Sequence, residues 1–252
     1  HEMGIVTRGE AKGWWFHYRN NIDNLAHVGY SFDLCNETLD DAFTTKTVVD
    51  GVNPAVSGPA LEQILSYIEN GGTYVADISF LRHGRGEQLK EIFGINTVPY
   101  RGEQSILFGD EKISLSRNNR LAVWGPGCTT IAKFGNDKHN AIVSRSYGRG
   151  RLIFLACNLD FSKEAERGVY ETILRESGVE KNVAALPYGV QNALFEKDGV
   201  FYLFLMNLTA RDQTVTPVLR YPAAVQSVRK GLNATNGEPF AVRSEQDQMK
   251  LG

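Results

Sequence analysis

The chain has 252 residues, 42% of them apolar and 22% charged, an ordinary composition for a globular protein with a core of normal size. Lys+Arg 27 against Asp+Glu 29 leaves a net charge of −2, without the cation excess that a nucleic-acid or anionic-membrane surface requires, so neither partner is expected. No apolar run reaches the roughly 18 residues of a membrane span, and His1-Glu2-Met3-Gly4 opens no signal-peptide pattern.

Trp14, Trp15, Tyr18, Ile22 and Leu25 recur at helical spacing, with Gly29 as the stop. A short strand is expected over Tyr30 to Leu34. A β-branched one follows over Thr45 to Val49, closed by Asp50-Gly51. Ser57-Gly58-Pro59 opens a helix: Ser57 can cap, and proline in the first turn loses no hydrogen bond. Leu61, Ile64, Leu65 and Ile68 form the buried stripe of this helix, and Gly71-Gly72 ends it. Thr73 to Ile78 reads as a strand buried on both faces, and Glu87 to Phe93 as a helix closed by Gly94. Strand, helix, strand, helix with short connections predicts a parallel sheet with right-handed crossovers.

From Thr97 to Phe134 the pattern becomes an antiparallel insertion, with a hairpin turning at Gly109-Asp110. Ala141 to Tyr147 and Leu152 to Cys157 make a second hairpin around Gly148-Arg149-Gly150, whose two arginines read as solvated. Asp160 or Ser162 is expected to cap a helix running to Ser177, with Val169, Ile173 and Leu174 inward. Beyond Gly178 no helical period remains. Ala193 to Met206 reads as a hairpin turning at Asp198-Gly199. Short strands follow at Val215 to Leu219 and Val225 to Val228, with a turn at Asn236-Gly237. The expected division is an α/β domain over residues 1–180 and a small β-sandwich-like module over 181–252. The module has fewer strands than a complete sandwich, so the sequence reads as a piece of a longer polypeptide.

Several segments resemble the glutamine-amidotransferase-like domain, also called the trimerisation domain, that follows the catalytic barrel in family 42 β-galactosidases and related glycoside hydrolases. They are Trp14 to Leu34, Thr45 to Asp77 with its Glu-Asn-Gly-Gly-Thr-Tyr-Val-Ala-Asp run, and Ser146 to Leu159. Phe201 to Thr209 resembles the first hairpin of the β-sandwich that comes next in that family. The resemblance implies a flavodoxin-like three-layer α/β fold of the class I amidotransferase type. It also implies a non-catalytic accessory and oligomerisation role, with copies of itself and a parent barrel as partners.

An amidotransferase of this fold needs a cysteine on the tight turn after the strand ending near Asp77, and a late histidine as base. Ser79 stands where that cysteine would, and no histidine follows His139. Weak catalytic candidates are therefore Ser79, Asp77 and Cys128. Cys128 follows Gly125-Pro126-Gly127 and would need His139 or His83 as partner; its plainer reading is the start of a strand. Asp77 lies at the carboxyl end of a parallel strand, where ligands of such sheets bind, with Asp160 just beyond another. Three scattered cysteines with no Cys-x-x-Cys pair predict no metal site, and no cofactor is expected. Two alternatives remain open: a self-standing hydrolase using Cys128 or Ser79, and a carbohydrate-binding module stacking sugars on Trp14, Trp15, Trp124 or Tyr188.

Overall fold

A computed structural model of the chain describes residues 3–7, 25–26, 28–30, 32–36, 43–52, 58–81, 86–135, 138–160, 162–184, 186–220, 231–232, 239–240, 242–245 and 248–251. The N-terminal aromatic stripe Trp14 to Ile22, Ser57, His83, Val225 to Val228 and Asn236-Gly237 lie outside these residues. The described residues divide into two compact units. One is drawn from His1–Asn21 and Phe32–Val179, the other from Ile22–Ser31 and Glu180–Gly252.

The first unit is built on one mixed sheet that forms a half-barrel. Its parallel half takes β1 (Met3–Thr7), β2 (Asp33–Asn36), β3 (Thr47–Val52) and, after helix α1 (Gly58–Glu69), β4 (Thr73–Asp77). Helix α2 (Gly86–Phe93) follows, then six strands of the antiparallel half. These are β5 (Asn96–Pro99), β6 (Ser105–Phe108), β7 (Glu111–Ser114), β8 (Leu121–Trp124), β9 (Cys128–Phe134) and β10 (Asn140–Tyr147). β11 (Gly150–Leu155) then returns to lie parallel beside β4, and helix α3 (Glu164–Glu176) closes the unit. The path runs β2-β1-β3-β4-β11-β10-β9-β6-β7, parallel from β2 to β11 and antiparallel from β11 onward.

Each element has a local cause. In α1 the apolar spacing buries Leu61, Ile64 and Ile68, with Tyr67 on the same side and Leu65 half-buried. Gly71 at φ +110° ends the helix, its N–H and that of Gly72 bonding back to the carbonyls of Ile68 and Tyr67. Thr73 to Ala76 are buried in succession, as a strand covered on both faces should be. Along β11, Leu152 and Phe154 join Tyr74 and Ala76 in the core under α1 and α2, and the alternation turns Ile153 and Leu155 to the other face. The β10–β11 turn docks on the end of α1. Arg149 N–H donates to Glu69 O at 3.0 Å and Arg151 N–H to Gly72 O at 3.1 Å. A Cβ on Gly150 would strike the carbonyl oxygens of Gly72 and Ile68, so glycine is demanded there by proximity.

Several expectations are corrected. The strand expected from Tyr30 begins at Asp33, and β3 runs on through Asp50-Gly51 to Val52 instead of stopping there. The cap of α3 is neither Asp160 nor Ser162 but Lys163, which makes no side-chain cap bond. Arg149 and Arg151 are not merely solvated. One donates to Asn70 Oδ1 at 3.0 Å and the other to the Glu176 carbonyl at 2.6 Å, each at a helix C-terminus where a cation is favoured.

The second unit holds β12 (Val183–Ala184), β13 (Val190–Lys197), β14 (Val200–Asn207), β15 (Val218–Leu219), β16 (Gly231–Leu232), β17 (Pro239–Phe240), β18 (Val242–Glu245) and β19 (Gln248–Leu251). They form sandwich-like sheets: a four-stranded one, β12-β15-β19-β18, and two hairpins, β13-β14 and β16-β17. β15 is shorter than the Val215 to Leu219 strand expected. The β13-β14 hairpin turns as expected at Asp198-Gly199, with φ of +53° and +75°. The segment ending at Gly29 belongs with this unit: Asn192 Nδ2 donates to Gly29 O at 3.0 Å, and Lys181 Nζ lies 5.0 Å from the Tyr30 ring centroid.

Candidate functional site

The carboxyl ends of β4 and β11 lie side by side, Asp77 opposite Leu155. Asp77 closes β4 half-buried, and the chain turns at once into a short 3-10 helix, Ile78–Leu81. In an amidotransferase this turn would present the nucleophile. Here Phe80 drives inward from it. It is 1% exposed, its ring centroid 5.6 Å from that of Tyr74 and 6.5 Å from that of Phe93. Ser79 is on the turn, and its side chain lies outside the described features.

Past β11 the chain carries Cys157, fully buried and bridged to Arg120. Burial first, then the nearby carboxylates of Glu166 and Asp77, push its thiol up to about 12, with Arg120 opposing them. Cys157 is therefore a protonated, shielded thiol at neutral pH. Glu166 is the group that sequence reasoning missed. It is 1% exposed on α3, where its Oε1 accepts from Ser116 N at 2.9 Å and Ser116 Oγ at 2.6 Å, and its Oε2 from Asp160 N at 2.8 Å. One carboxylate thus ties the loop after β7 to the loop after β11. The signal was in the sequence: Glu166 shares a helical face with Val169, Tyr170 and Ile173.

The Asp160 side chain is engaged locally. Its Oδ1 accepts from Ser162 N at 3.0 Å and Ser162 Oγ at 2.7 Å. Partial burial works to raise the Asp160 carboxyl; the bonds from Ser162, with Arg117 and Lys163 nearby, outweigh it and hold the group below its ordinary value. It is ionised at neutral pH. Asp77 and Glu166 both act on Cys157, a shielded thiol, and Glu166 is engaged by three donors.

Cys128 lies at the far end of the sheet. It pairs with Arg145 at the start of β9, whereas Phe134 N–H bonds to His139 O at 2.9 Å at the other end of the same strand. Six residues of strand separate them by about 20 Å, so the His139 partner that a catalytic Cys128 would need is not beside it, and the plainer strand-start reading is the one observed. The His139 ring instead joins Tyr100, at 5.8 Å between centroids. The Gly125-Pro126-Gly127 loop is a turn pressed on Gly94, whose carbonyl a Cβ on Gly125 would strike. Burial raises the Cys128 pKa, with Arg145 pulling the other way. Native-state alkylation at pH 8 is expected to modify Cys128 far more slowly than a free thiol, and Cys157 only on unfolding. The folded thiols titrate above the unfolded ones, so alkaline pH favours the unfolded chain. Their stabilising effect is intact below about pH 9 and falls as pH rises toward 12, and Cys157→Ala should flatten that loss in a urea titration.

Of the stacking candidates, Trp124 is 44% exposed at the end of β8 and Tyr188 is half-buried in the second unit. A groove of about 460 Å³ lies at the amino end of β4, walled by Phe43 and Tyr67 with Lys46 and Gln63. Among the described residues no Asp, Glu, His or Cys lines it. Among the described residues no group of three or more His, Cys, Asp or Glu is placed to hold a metal ion, and no helix is long and apolar enough to cross a membrane.

No protein-family model matches the chain, and no curated protein does. Solved structures do. Gan42B, a GH42 β-galactosidase from G. stearothermophilus, is similar over 99% of this chain with a TM-score of 0.71 at 17% identity. A β-galactosidase from Bacillus circulans sp. alkalophilus matches over 99% with a TM-score of 0.70 at 17% identity. An α-L-fucosidase isoenzyme 2 from Paenibacillus thiaminolyticus matches over 99% with a TM-score of 0.69 at 12% identity. These likenesses establish the fold. The chain spans 40%, 41% and 46% of the three chains respectively.

Proposed function

We propose that this chain is the non-catalytic accessory and oligomerisation region of a longer glycoside hydrolase of β-galactosidase type, partnered by a catalytic barrel and by further copies of itself. Its α/β part is then an amidotransferase-like domain. The parallel order β2-β1-β3-β4-β11 supports this, since it is the 2-1-3-4-5 arrangement of flavodoxin-like sheets once the insertion is set aside. The observation that carries the reading is the match itself. Nearly the whole chain is similar to less than half of two kinds of glycosidase, one named for galactosides and one for fucosides. A region common to both does not choose the sugar. The strand-end chemistry agrees, because Phe80 fills the nucleophile turn and Cys157 is a shielded thiol.

The pure chain is expected to release no nitrophenol from nitrophenyl β-galactoside or α-fucoside above the buffer rate. Glycoside hydrolysis requires two carboxyl groups about 5–10 Å apart across one sugar. Turnover that disappears on mutating a single Asp or Glu would overturn the reading.

A further inference from the structure

The groove of about 460 Å³ at the amino end of β4 has the size of a small-molecule site. Its walls are held in place. The Tyr67 ring lies on Gly72, where a Cβ would strike it, and the Tyr67 hydroxyl donates to the carbonyls of Thr45 at 3.0 Å and Thr73 at 3.3 Å. Phe43 packs against that ring at 5.4 Å between centroids. Asn70 is committed as well: its Nδ2 donates to Ser66 O at 2.9 Å, and its Oδ1 accepts from Arg149 Nη2 at 3.0 Å. Gln63 and Lys46 are not spent in this way. Gln63 Oε1 is buried without a hydrogen-bond partner, a costly state for an amide oxygen. The Lys46 ammonium rests against Gly178, where a Cβ would strike it, and among the described residues no carboxylate pairs with it.

We propose that this groove binds a small hydroxylated carboxylate of the sugar-acid kind. Three observations select that chemistry. Lys46 is the one charged side chain among the described lining residues, so the groove favours a monoanion, and a carboxylate meets an ammonium in a charge-assisted hydrogen bond. Gln63 calls for a hydroxyl. A half-turn of the amide exchanges its oxygen and nitrogen, and a hydroxyl, donor and acceptor both, serves either atom. Phe43 supplies an apolar wall on which the C–H face of a pyranose ring packs. With no Asp or Glu in the described lining, the groove offers no carboxyl pair for hydrolysis, so it holds its ligand and does not cleave it. This site goes beyond the accessory reading and does not rest on it.

The probe is D-galacturonate, titrated into the isotope-labelled full chain and read from backbone amide shifts. The amides of Lys46, Gly71 and Gly72 should shift and saturate with a Kd of about 0.1–3 mM, as suits a ligand of this size in an open groove. D-Galactose lacks the carboxylate, and acetate lacks the ring and hydroxyls; each should bind about tenfold more weakly or worse. Lys46→Gln should weaken galacturonate about tenfold and bring it level with galactose. Gln63→Leu should weaken it by a similar factor while melting no lower than the parent, since it removes an orphaned polar group at nearly equal volume. No saturating shift up to about 30 mM, or shifts gathered away from the groove, overturns the proposal. So does a Lys46→Gln chain that binds as tightly as the parent, or galactose that binds as tightly as galacturonate. A Gln63→Leu chain that melts well below the parent shows that the amide has a partner of its own, and overturns it too. None of these outcomes bears on glycoside turnover, so the groove can fail while the accessory reading stands.

Discussion

Glu166→Ala is expected to destabilise the first unit by about 2–4 kcal/mol, measured as a fall in urea midpoint with unchanged slope. The carboxylate accepts from two backbone N–H groups and one hydroxyl on two separate loops. Each buried donor left without an acceptor costs about 1–3 kcal/mol, and the vacated space beside Val169 and Tyr170 adds to that. The Ser116 hydroxyl lies near solvent and can turn to water, which keeps the sum below three full penalties. Glu166→Gln separates the causes. It fills the space and retains one carbonyl oxygen, but sets an NH2 against a donor, so it should cost about half as much. A loss below about 1 kcal/mol for the alanine variant would mean that the loops hold their shape without the carboxylate.

Phe80→Ala should cost about 3–5 kcal/mol, the range for emptying a buried aromatic site. Phe80 is 1% exposed and stands between Tyr74 and Phe93, linking the end of β4 to α2. Phe80→Leu retains most of the volume and should lose about 1 kcal/mol. The same pair tests how the turn is held. If Phe80 plugs it, amide exchange over Asp77 to Leu81 should quicken in the alanine variant before the sheet as a whole opens. Equal stability of the alanine variant and the parent would remove Phe80 from the core.

Much of the sheet was legible because its signals are local. The apolar spacing of Leu61 to Ile68, the glycines at 71, 94 and 109, and the Asp198-Gly199 turn each specify an element from a few neighbours. Sheet order was not legible in that way, because the partner of β4 arrives from the far side of an insertion. At the site, the sequence singled out residues by chemical type and missed those defined by burial. A catalytic Cys128 would need His139 or His83, and the register puts His139 at the opposite end of the strand from it. Asp77 and Asp160 stand at or just beyond two strand ends without any spacing that makes them one site, and the Asp160 side chain is engaged by Ser162. Glu166 is masked in the sequence by the apolar members of its helical face, although a charge among them is the rarer and more informative feature.

The place of β11 in the sheet also governs how the chain reaches its fold. Thr73 and Arg151 are ladder partners 78 residues apart in sequence, and everything between them must be dealt with before that parallel pairing can close. The intervening strands pair mostly with near neighbours, as β6 does with β7 and β9 with β10, so the insertion can form its own hairpins early. β11 is tethered to β10 by the two-residue turn Gly148-Arg149, so once β10 is in place β11 is expected to reach β4 together with it. Closure then depends on a preformed body instead of a long flexible loop, which lowers the entropy it must overcome. The antiparallel meander is in this sense the scaffold on which the parallel half is finished.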